Sequence, residues 1–338
     1  MRFFDLHCDT VDSLAMKQEP SPLEFFDQFA EGDLQHNNLH LSGDRMQEAA
    51  PDGWCQCYAV WVPDDLKPLG LTPRQFYEHT QDYFSRQMQV QEASFAQVRN
   101  GDQIDAAIAS GRVAALLAVE GASPVGHDLG YLDRMYADGV RMVTLTWNGP
   151  NSIGSGHDTT DGLSAFGRQA VHHMEDLGIV VDVSHLNDEG FADLLEVAQK
   201  PFVATHSNSR AVCPHQRNLT DDQFRAICER GGLVGINYYR AFITDRIAPG
   251  HYTVRPEEDV TFDELAAHIE HFLDLGGQDV LALGSDFDGS DVPSWLNGAQ
   301  TLPDFRQKLV QRFGEELAER ICYSNARAFF GRMLSQRV

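Results

Sequence analysis

The sequence predicts an α/β fold, a (β/α)8 TIM barrel with elaborated loops at the C-terminal ends of its strands. Eight short apolar segments recur along the 338 residues, most of them continuously apolar, and helical patterns separate them. Continuous apolar runs are typical of strands buried on both faces of a parallel sheet. Eight such strands alternating with helices form a barrel. The length suits one domain over residues 1–338.

The eight predicted strands are rich in β-branched and other apolar residues, and each precedes a turn. In chain order they are FFDLHCD (3–9), YAVWV (58–62), VAALLAVEG (113–121), MVTLTW (142–147), IVVDVSH (179–185), PFVATHS (201–207), LVGIN (233–237) and VLALGSDFDG (280–289). Glycine-rich loops follow the fourth and eighth strands, and a long loop follows the seventh. Such loops are candidate walls of an active site.

The helices predicted between these strands include residues 73–88, 164–178, 189–199 and 262–277. Two helix starts have capping boxes, formed by Thr220 with Gln223 and by Thr261 with Glu264, and several helices end in glycine. A doubly wound open sheet is the alternative fold. It usually has a phosphate-binding glycine loop after an early strand, and the sequence contains no GxGxxG, GxxxxGKS or GxxxxGKT.

The charge balance excludes one class of partner. The chain has 26 basic and 50 acidic residues, a formal net charge of -24. Nucleic-acid binding needs clustered Lys and Arg to neutralise phosphates, so we expect no nucleic-acid partner. Metal cations suit this surface better, although net charge is most simply explained by solubility.

The sequence also predicts a soluble cytoplasmic protein. No stretch approaches the roughly 18 to 20 consecutive apolar residues of a membrane span, so we expect no membrane partner. The N-terminus lacks the pattern of a secretion signal. The six scattered cysteines are therefore expected to be reduced thiols. Cys55 and Cys57 are interpreted as buried thiols leading into a strand, since no second cysteine pair accompanies them.

Side chains able to bind metals end five of the predicted strands. They are His7 and Asp9 on the first strand, Glu120 on the third, His185 on the fifth, His206 on the sixth, and Asp286 with Asp288 on the eighth. Strand C-termini converge at one mouth of a barrel, so we expect these residues to meet there. We expect core strands to be otherwise almost uncharged, because a buried carboxylate is costly unless it is paired or bound to a metal.

The chemistry of these residues suits two divalent ions that share an anionic bridge and hold a nucleophilic water between them. His7 and Asp9 can hold one ion, and His185 and His206 can hold the other. Glu120 can bridge the two. Imidazole and carboxylate ligands suit Zn²⁺, with Mn²⁺ or Co²⁺ as alternatives.

The two aspartates of the last strand have different expected roles. Asp286 has no ion that it must hold, so it can accept a proton from water and return it to a leaving amine as general base and acid. Asp288 is expected to brace the last loop. The other histidines of the helices and surface are not expected to bind metal: His127, His172, His173, His215, His268 and His271.

The ordered set HCD, VEG, VSH, THS and GSDFDG resembles the membrane dipeptidase family, also called renal dipeptidases, within the metal-dependent amidohydrolase superfamily. The resemblance extends from residue 3 to beyond residue 289. It implies a two-zinc site on the five ligand candidates above and an acid–base role for Asp286. It also implies hydrolysis of dipeptides. Known members tolerate a C-terminal D-residue, and some open β-lactam rings.

The resemblance implies two further substrate contacts. The segment HSNSRAVCPHQRN is similar to the family segment in which an arginine binds the substrate's carboxylate, and that arginine matches Arg217. Mammalian members have a histidine, thought to stabilise the oxyanion, where this chain has Trp147. His157 in the following loop is a candidate replacement, although we expect this loop histidine to be exposed. A metal ion acting alone as Lewis acid is the alternative.

Lipid-anchored relatives have a C-terminal hydrophobic tail that this sequence does not show, which agrees with the predicted solubility. Two other functions stay open. One is a related binuclear barrel hydrolase acting on N-acyl amino acids, lactones, β-lactams or phosphotriesters. Many such enzymes bridge their metals with a carbamylated lysine, and no predicted strand ends in any of the four lysines: Lys17, Lys67, Lys200 and Lys308.

The third function is a non-catalytic metal-containing binding protein. The presence of both Asp286 and Arg217 argues against it, because a protein without turnover would be free to lose them. The sequence leaves the preferred dipeptide, the native metal and the oligomeric state undetermined, and a homodimer stays open.

Overall fold

A closed ring of eight parallel strands forms the centre of the computed structural model, which describes residues 1–16, 30–248 and 259–335. The described strands are β1 (Phe3–Cys8), β2 (Trp54–Trp61), β3 (Phe95–Val98), β4 (Val113–Glu120), β5 (Val140–Thr144), β6 (Val180–Asp182), β7 (Val203–Ala204), β8 (Leu233–Ile236) and β9 (Leu281–Leu283). β1 pairs with β2 and β9, β2 pairs with β4, and β4 to β9 pair in order. The predicted (β/α)8 barrel and its eight strands are confirmed.

The short strand β3 lies outside this ring and was not predicted. It pairs in parallel with the first half of β4, from Phe95 opposite Val113 to Val98 opposite Leu116. On the same edge of β4, β5 pairs with the second half. β3 has only four residues, of which the two middle ones are partly exposed, so its apolar pattern is too short to recognise in the sequence.

Helices connect the strands and cover the outside of the ring. They are α1 (Thr10–Met16), α2 (Gly43–Ala49), α3 (Pro73–Val90), α4 (Gly101–Ala109), α5 (Gly130–Asp138), α6 (Ala165–Leu177), α7 (Asp188–Val197), α8 (Asp221–Glu229), α9 (Arg240–Ile243), α10 (Phe262–Asp274), α11 (Leu302–Phe313), α12 (Glu315–Glu319) and α13 (Asn325–Met333). Both predicted capping boxes are present, and a third at Thr72 and Gln75 begins α3. Part of the long loop after the seventh predicted strand lies outside the described residues.

The inside of the ring is apolar at its N-terminal end, where α13 closes it. Phe4 stacks on Phe330 of α13 with ring centroids 5.2 Å apart. Cys55 and Cys57 are fully buried in the same cluster, and burial raises the pKa of both thiols. Their prediction as buried thiols is confirmed, but they lie within β2 rather than ahead of it, because the strand begins at Trp54. No helix in the described part of the chain is long and apolar enough to span a bilayer.

Candidate active site

Five predicted ligand residues come together at the C-terminal mouth of the barrel, and all five are buried. His7 Nε2 lies 3.3 Å from Asp9 Oδ2 and 3.2 Å from Glu120 Oε2. On the other side, His185 Nε2 lies 2.9 Å from Glu120 Oε1 and 3.0 Å from His206 Nε2. Each carboxylate oxygen of Glu120 therefore faces a different half of the cluster.

The electrostatics of this cluster favour a bound cation. Burial raises the pKa of Glu120 to about 7. Burial alone would lower the pKa of His7, but the neighbouring Asp9 and Glu120 outweigh it and raise that pKa well above its usual value. The carboxylates therefore strongly stabilise positive charge at His7 Nε2.

The donor set also passes a structural test for metal binding. Within the described residues, the buried atoms His7 Nε2 and Asp9 Oδ1 have no hydrogen-bond partner. Buried polar atoms are normally satisfied, so such atoms call for a ligand. Three overlapping groups in this cluster each bring three ligand atoms within 4.8 Å of one another. Imidazole and carboxylate donors at this spacing fit a divalent transition metal.

Asp286, the predicted general base and acid, borders the cluster of five ligand candidates. Its Oδ1 lies 4.0 Å from His7 Nε2, and its Oδ2 accepts a hydrogen bond from Asn237 Nδ2 at 3.1 Å. Burial raises the pKa of Asp286, while the His7 and Arg217 charges oppose this rise. Since Asp286 also groups with His7 and His206 as a set of ligand atoms, the same carboxylate is within reach of an ion.

Asp288 braces the last loop, as the sequence predicted. Its side chain accepts hydrogen bonds from the Thr10 hydroxyl at 2.5 Å and from the His40 backbone N–H at 2.6 Å. Its own backbone N–H donates to His40 Nδ1 at 2.9 Å. Asp288 thus ties the loop after β9 to the segment after β1.

The backbone is unusual at this mouth. Among the described non-glycine residues, positive φ angles occur at His185 (69°), Asp286 (59°) and Asp288 (67°). Left-handed conformations are uncommon for residues with a Cβ and concentrate at functional sites. Here they turn the chain just beyond β6 and β9, which sets the directions of the His185 and Asp286 side chains.

Arg217 lies beside the cluster and is buried. Its Nη1 donates to Ser207 Oγ at 2.7 Å, and its Nη2 donates to the His206 carbonyl at 3.1 Å. Its Nε has no partner among the described residues. Burial lowers the pKa of Arg217 to about 10, so the guanidinium stays charged at neutral pH and keeps N–H groups for an anionic ligand.

The expectation that His157 is exposed was wrong. The bridge from Gly156 to Leu186 folds its loop back onto the barrel mouth, and only 10% of the His157 side chain is exposed. Its ring lies 5.6 Å from that of His185 and 6.4 Å from that of His215. Burial, assisted by the Arg217 charge, lowers the pKa of His157 to about 3. His157 is thus a neutral side chain in the site.

Two groups found in related enzymes are a histidine at the position of Trp147 and a lysine that bridges the metals. Trp147 packs edge-on against Trp61 with centroids 4.9 Å apart, and its ring lies 6.3 Å from that of His185. The described lysines make contacts elsewhere. Lys67 begins a short 3-10 turn, Lys200 Nζ donates to the Glu175 carbonyl, and Lys308 Nζ lies 5.8 Å from the ring centroids of Phe262 and Trp295. Lys17 lies outside the described residues. A carbamylated-lysine bridge is therefore not available from the described lysines.

Several buried polar residues of the site were missed. The expectation of almost uncharged core strands was wrong, since Asp5 in β1 and Asp182 in β6 are fully buried. Asp5 accepts hydrogen bonds from Gln56 Nε2 at 3.0 Å and from the Ser285 backbone at 2.9 Å. Both aspartates interrupt apolar runs in the sequence, and that signal was sufficient to identify them. Asn148, whose Oδ1 lies 2.9 Å from His185 Nδ1, carried no such signal.

Comparison with protein families gives a match along nearly the whole chain. The family described as Membrane dipeptidase (Peptidase family M19) matches residues 1–331. An uncharacterised protein of Klebsiella pneumoniae is 39% identical over 201 residues, which are 57% of this chain and 72% of that protein. An uncharacterised dipeptidase of Schizosaccharomyces pombe is 34% identical over 218 residues, 62% of this chain and 50% of that protein.

Solved structures include a similar barrel with a bound ligand. A metallopeptidase from Rhodobacter sphaeroides, liganded with a phosphinate mimic of the dipeptide L-Ala-D-Ala, is 26% identical with a TM-score of 0.84. The alignment covers 98% of this chain and 99% of that one. A second metallopeptidase structure, dipeptidase AC, has the same identity and TM-score and covers 99% of both chains.

Proposed function

The chain belongs to the membrane dipeptidase family and is a metal-dependent dipeptidase, and from this premise we propose that it hydrolyses dipeptides with two Zn²⁺ ions held by His7, Asp9, Glu120, His185 and His206. Mn²⁺ or Co²⁺ would suit the same donors. The observation that carries the proposal is the position of Glu120, whose two oxygens face separate halves of the ligand cluster.

Two ions held by these residues would supply Lewis acidity towards the peptide carbonyl and make water a stronger nucleophile at neutral pH. His7 and Asp9 would hold one ion, while His185 and His206 would hold the other. Glu120 would bridge them. This division follows the distances. His7, which contacts Asp9, lies near Glu120 Oε2, whereas His185 and His206 lie on the side of Glu120 Oε1.

Asp286 would move the proton. As general base it would take a proton from the attacking water, and as general acid it would return that proton to the leaving amine. The position of Asp286 Oδ1, 4.0 Å from His7 Nε2, supports this role. The hydrogen bond from Asn237 Nδ2 to Asp286 Oδ2 fixes the orientation of the carboxylate. The raised pKa of Asp286 brings it closer to neutrality, where a group can both accept and release a proton.

Arg217 would bind the free α-carboxylate of the substrate. Two of its N–H groups are used by Ser207 and by the His206 carbonyl, and the rest remain for the ligand. His157 would add a neutral contact on the same side, since its buried Nδ1 has no partner among the described residues. Likeness to the Rhodobacter metallopeptidase, which was crystallised with an L-Ala-D-Ala mimic, extends the proposal to a C-terminal D-residue.

A reducing, cytoplasmic compartment is part of the proposal. All six cysteines are free thiols, and five of them are buried. Purified protein labelled with a thiol reagent after unfolding should show six reactive thiols without a reductant. Fewer than six would argue for an oxidising compartment.

The test combines metal content with a substrate panel. Protein purified without chelator should contain two transition-metal ions per chain by elemental analysis, and it should cleave L-Ala-L-Ala or L-Ala-D-Ala. Glu120→Ala should lose metal from both positions, and His185→Ala mainly from one. His172→Ala on the exposed face of α6 is the control and should keep both ions. One ion or none in the wild type would refute the binuclear proposal, and preferential cleavage of N-acetylated dipeptides would favour an N-acyl amino acid hydrolase.

A further inference from the structure

A fully buried aspartate inside the barrel accepts four hydrogen bonds next to the ligand cluster. Asp182 ends β6 two residues after Val180, so both side chains point to the barrel interior. Its Oδ1 accepts from the backbone N–H groups of Ser184 at 3.0 Å and Thr205 at 2.9 Å. Its Oδ2 accepts from the hydroxyls of Thr144 at 2.6 Å and Thr205 at 2.7 Å. Four donors fill the acceptor positions of a carboxylate.

The Thr205 hydroxyl connects Asp182 to His206. Its oxygen lies 2.8 Å from His206 Nδ1. A hydroxyl has one proton, and here that proton goes to Asp182, because both carboxylate oxygens of Asp182 accept hydrogen bonds in all four of these contacts. Thr205 Oγ1 must therefore accept a hydrogen bond from His206, so the ring proton is on Nδ1. The hydroxyl of Ser184, 3.3 Å away, can use the second lone pair of the same oxygen.

We propose that Asp182 and Thr205 are positioning residues that fix His206 in the tautomer with an unprotonated Nε2. This inference rests on the proposed function, because it assumes that His206 Nε2 holds an ion. That nitrogen faces the cluster, 3.0 Å from His185 Nε2 and 3.7 Å from Glu120 Oε1. A lone pair there binds a cation, whereas an N–H there would repel it.

The opposite tautomer is disfavoured by the same contacts. With the proton on Nε2, the unprotonated Nδ1 would face Thr205 Oγ1, and the hydroxyl would have to leave Asp182 to donate to it. Asp182 Oδ2 would then keep only the Thr144 hydroxyl in a fully buried place. Losing a hydrogen bond to a fully buried carboxyl group is costly, so the Asp182 contact selects the metal-binding form of His206.

Thr205→Val tests this directly, because valine nearly matches the shape of threonine and lacks the hydroxyl. The variant should bind one of the two zinc ions about 10- to 100-fold more weakly than the wild type, measured by titration against a chelator of known affinity. Thr205→Ser keeps the hydroxyl and should restore the wild-type affinity. Thr146→Val is the matched control, since the fully buried Thr146 hydroxyl has no partner among the described residues.

A second measurement follows the tautomer itself. Long-range ¹H–¹⁵N spectra of the histidine-labelled, metal-free full chain should show the His206 proton on Nδ1, with the signal assigned by its loss in His206→Gln. In Thr205→Val the Nε2-protonated form should gain population. A wild-type His206 protonated on Nε2 would overturn the inference, and so would equal zinc affinity in Thr205→Val and the wild type.

The two measurements also separate this inference from the proposed function. A wild type that binds no zinc, with His206 still protonated on Nδ1, would refute the two-zinc dipeptidase and leave the positioning of His206 supported. A wild type that binds two ions, with Thr205→Val binding them equally well, would refute the positioning role alone. If Thr146→Val weakens zinc binding as much as Thr205→Val does, the effect comes from general destabilisation, and the positioning role is refuted as well.

Discussion

Gly289, which follows the last strand in the GSDFDG motif, has no room for a side chain. A Cβ placed on it would lie 2.0 Å from Asp9 Oδ2 and 2.8 Å from Asp286 Oδ1, whereas ordinary contacts begin at 3.4 Å. Gly289→Ala therefore forces Asp9 Oδ2 to move by roughly 1.4 Å or shifts the loop by as much. One methyl group would thus disturb a proposed ligand and the proposed proton carrier together.

The expected size of the effect follows from this displacement. Ligand atoms in metal sites are held to within about 0.2 Å, so a shift several times larger should remove Asp9 from the ion that we propose it holds together with His7. A misplacement of about 1 Å at a reacting centre costs on the order of 10²-fold in rate. Overpacking should also destabilise the fold by about 1–3 kcal/mol. We therefore expect up to one ion fewer per chain and at least a ~10²-fold lower kcat/KM.

Elemental analysis, steady-state kinetics and thermal unfolding together measure the outcome. Gly130→Ala is the control, because Gly130 is an exposed residue at the start of α5 and the nearest atom to its added Cβ is Asp128 Oδ1 at 3.2 Å. It should keep both ions and full activity. If Gly289→Ala also keeps both ions and wild-type kcat/KM, Asp9 is not held where the structure places it, and its assignment as a ligand fails.

Three further outcomes are expected. Burial lowers the pKa of His268, which lies between the Ser209 N–H and the Ile243 carbonyl, to about 4. The neutral form is therefore favoured on folding, and up to about 3 kcal/mol of stability present above pH 6.5 is lost as the pH falls to 4. Urea unfolding at both pH values should show this loss in the wild type, and its persistence in His268→Gln would refute the assignment. Asp286→Asn should keep both ions while kcat falls ~10²- to 10⁴-fold, and loss of an ion would make Asp286 a ligand. Arg217→Met should raise KM for free dipeptides with kcat little changed, and an unchanged KM would remove it from carboxylate binding.

The barrel and its ligand cluster could be predicted because their signals are local. Each strand is a continuous apolar run, and each candidate ligand ends such a run, so the convergence of strand C-termini was enough to group them. Asp182 shows the limit of that rule. It interrupts an apolar run as plainly as Glu120 ends one, but it lies inside the predicted strand 179–185. Its partners Thr144 and Thr205 come from the end of β5 and from just after β7.

Other features depend on contacts that no local pattern encodes. The burial of His157 follows from the bridge between Gly156 and Leu186, which are thirty residues apart in sequence and on different sides of α6. The lack of space at Gly289 depends on Asp9, at the other end of the chain. Propensity and periodicity describe short windows, so tertiary closure of this kind is seen only when the elements are assembled.

The left-handed backbone at His185, Asp286 and Asp288 has a consequence for laboratory evolution. Residues with a Cβ cost about 1 kcal/mol or more in this conformation, whereas glycine adopts it freely. A library selected for heat resistance alone should therefore enrich glycine at His185 and Asp286, whereas the hydrogen bonds that Asp288 accepts oppose its replacement. Each enrichment at His185 or Asp286 would remove a side chain of the proposed active site. Thermostable variants of this barrel would have to be selected with activity as a second criterion, because stability and turnover make opposite demands on the same residues.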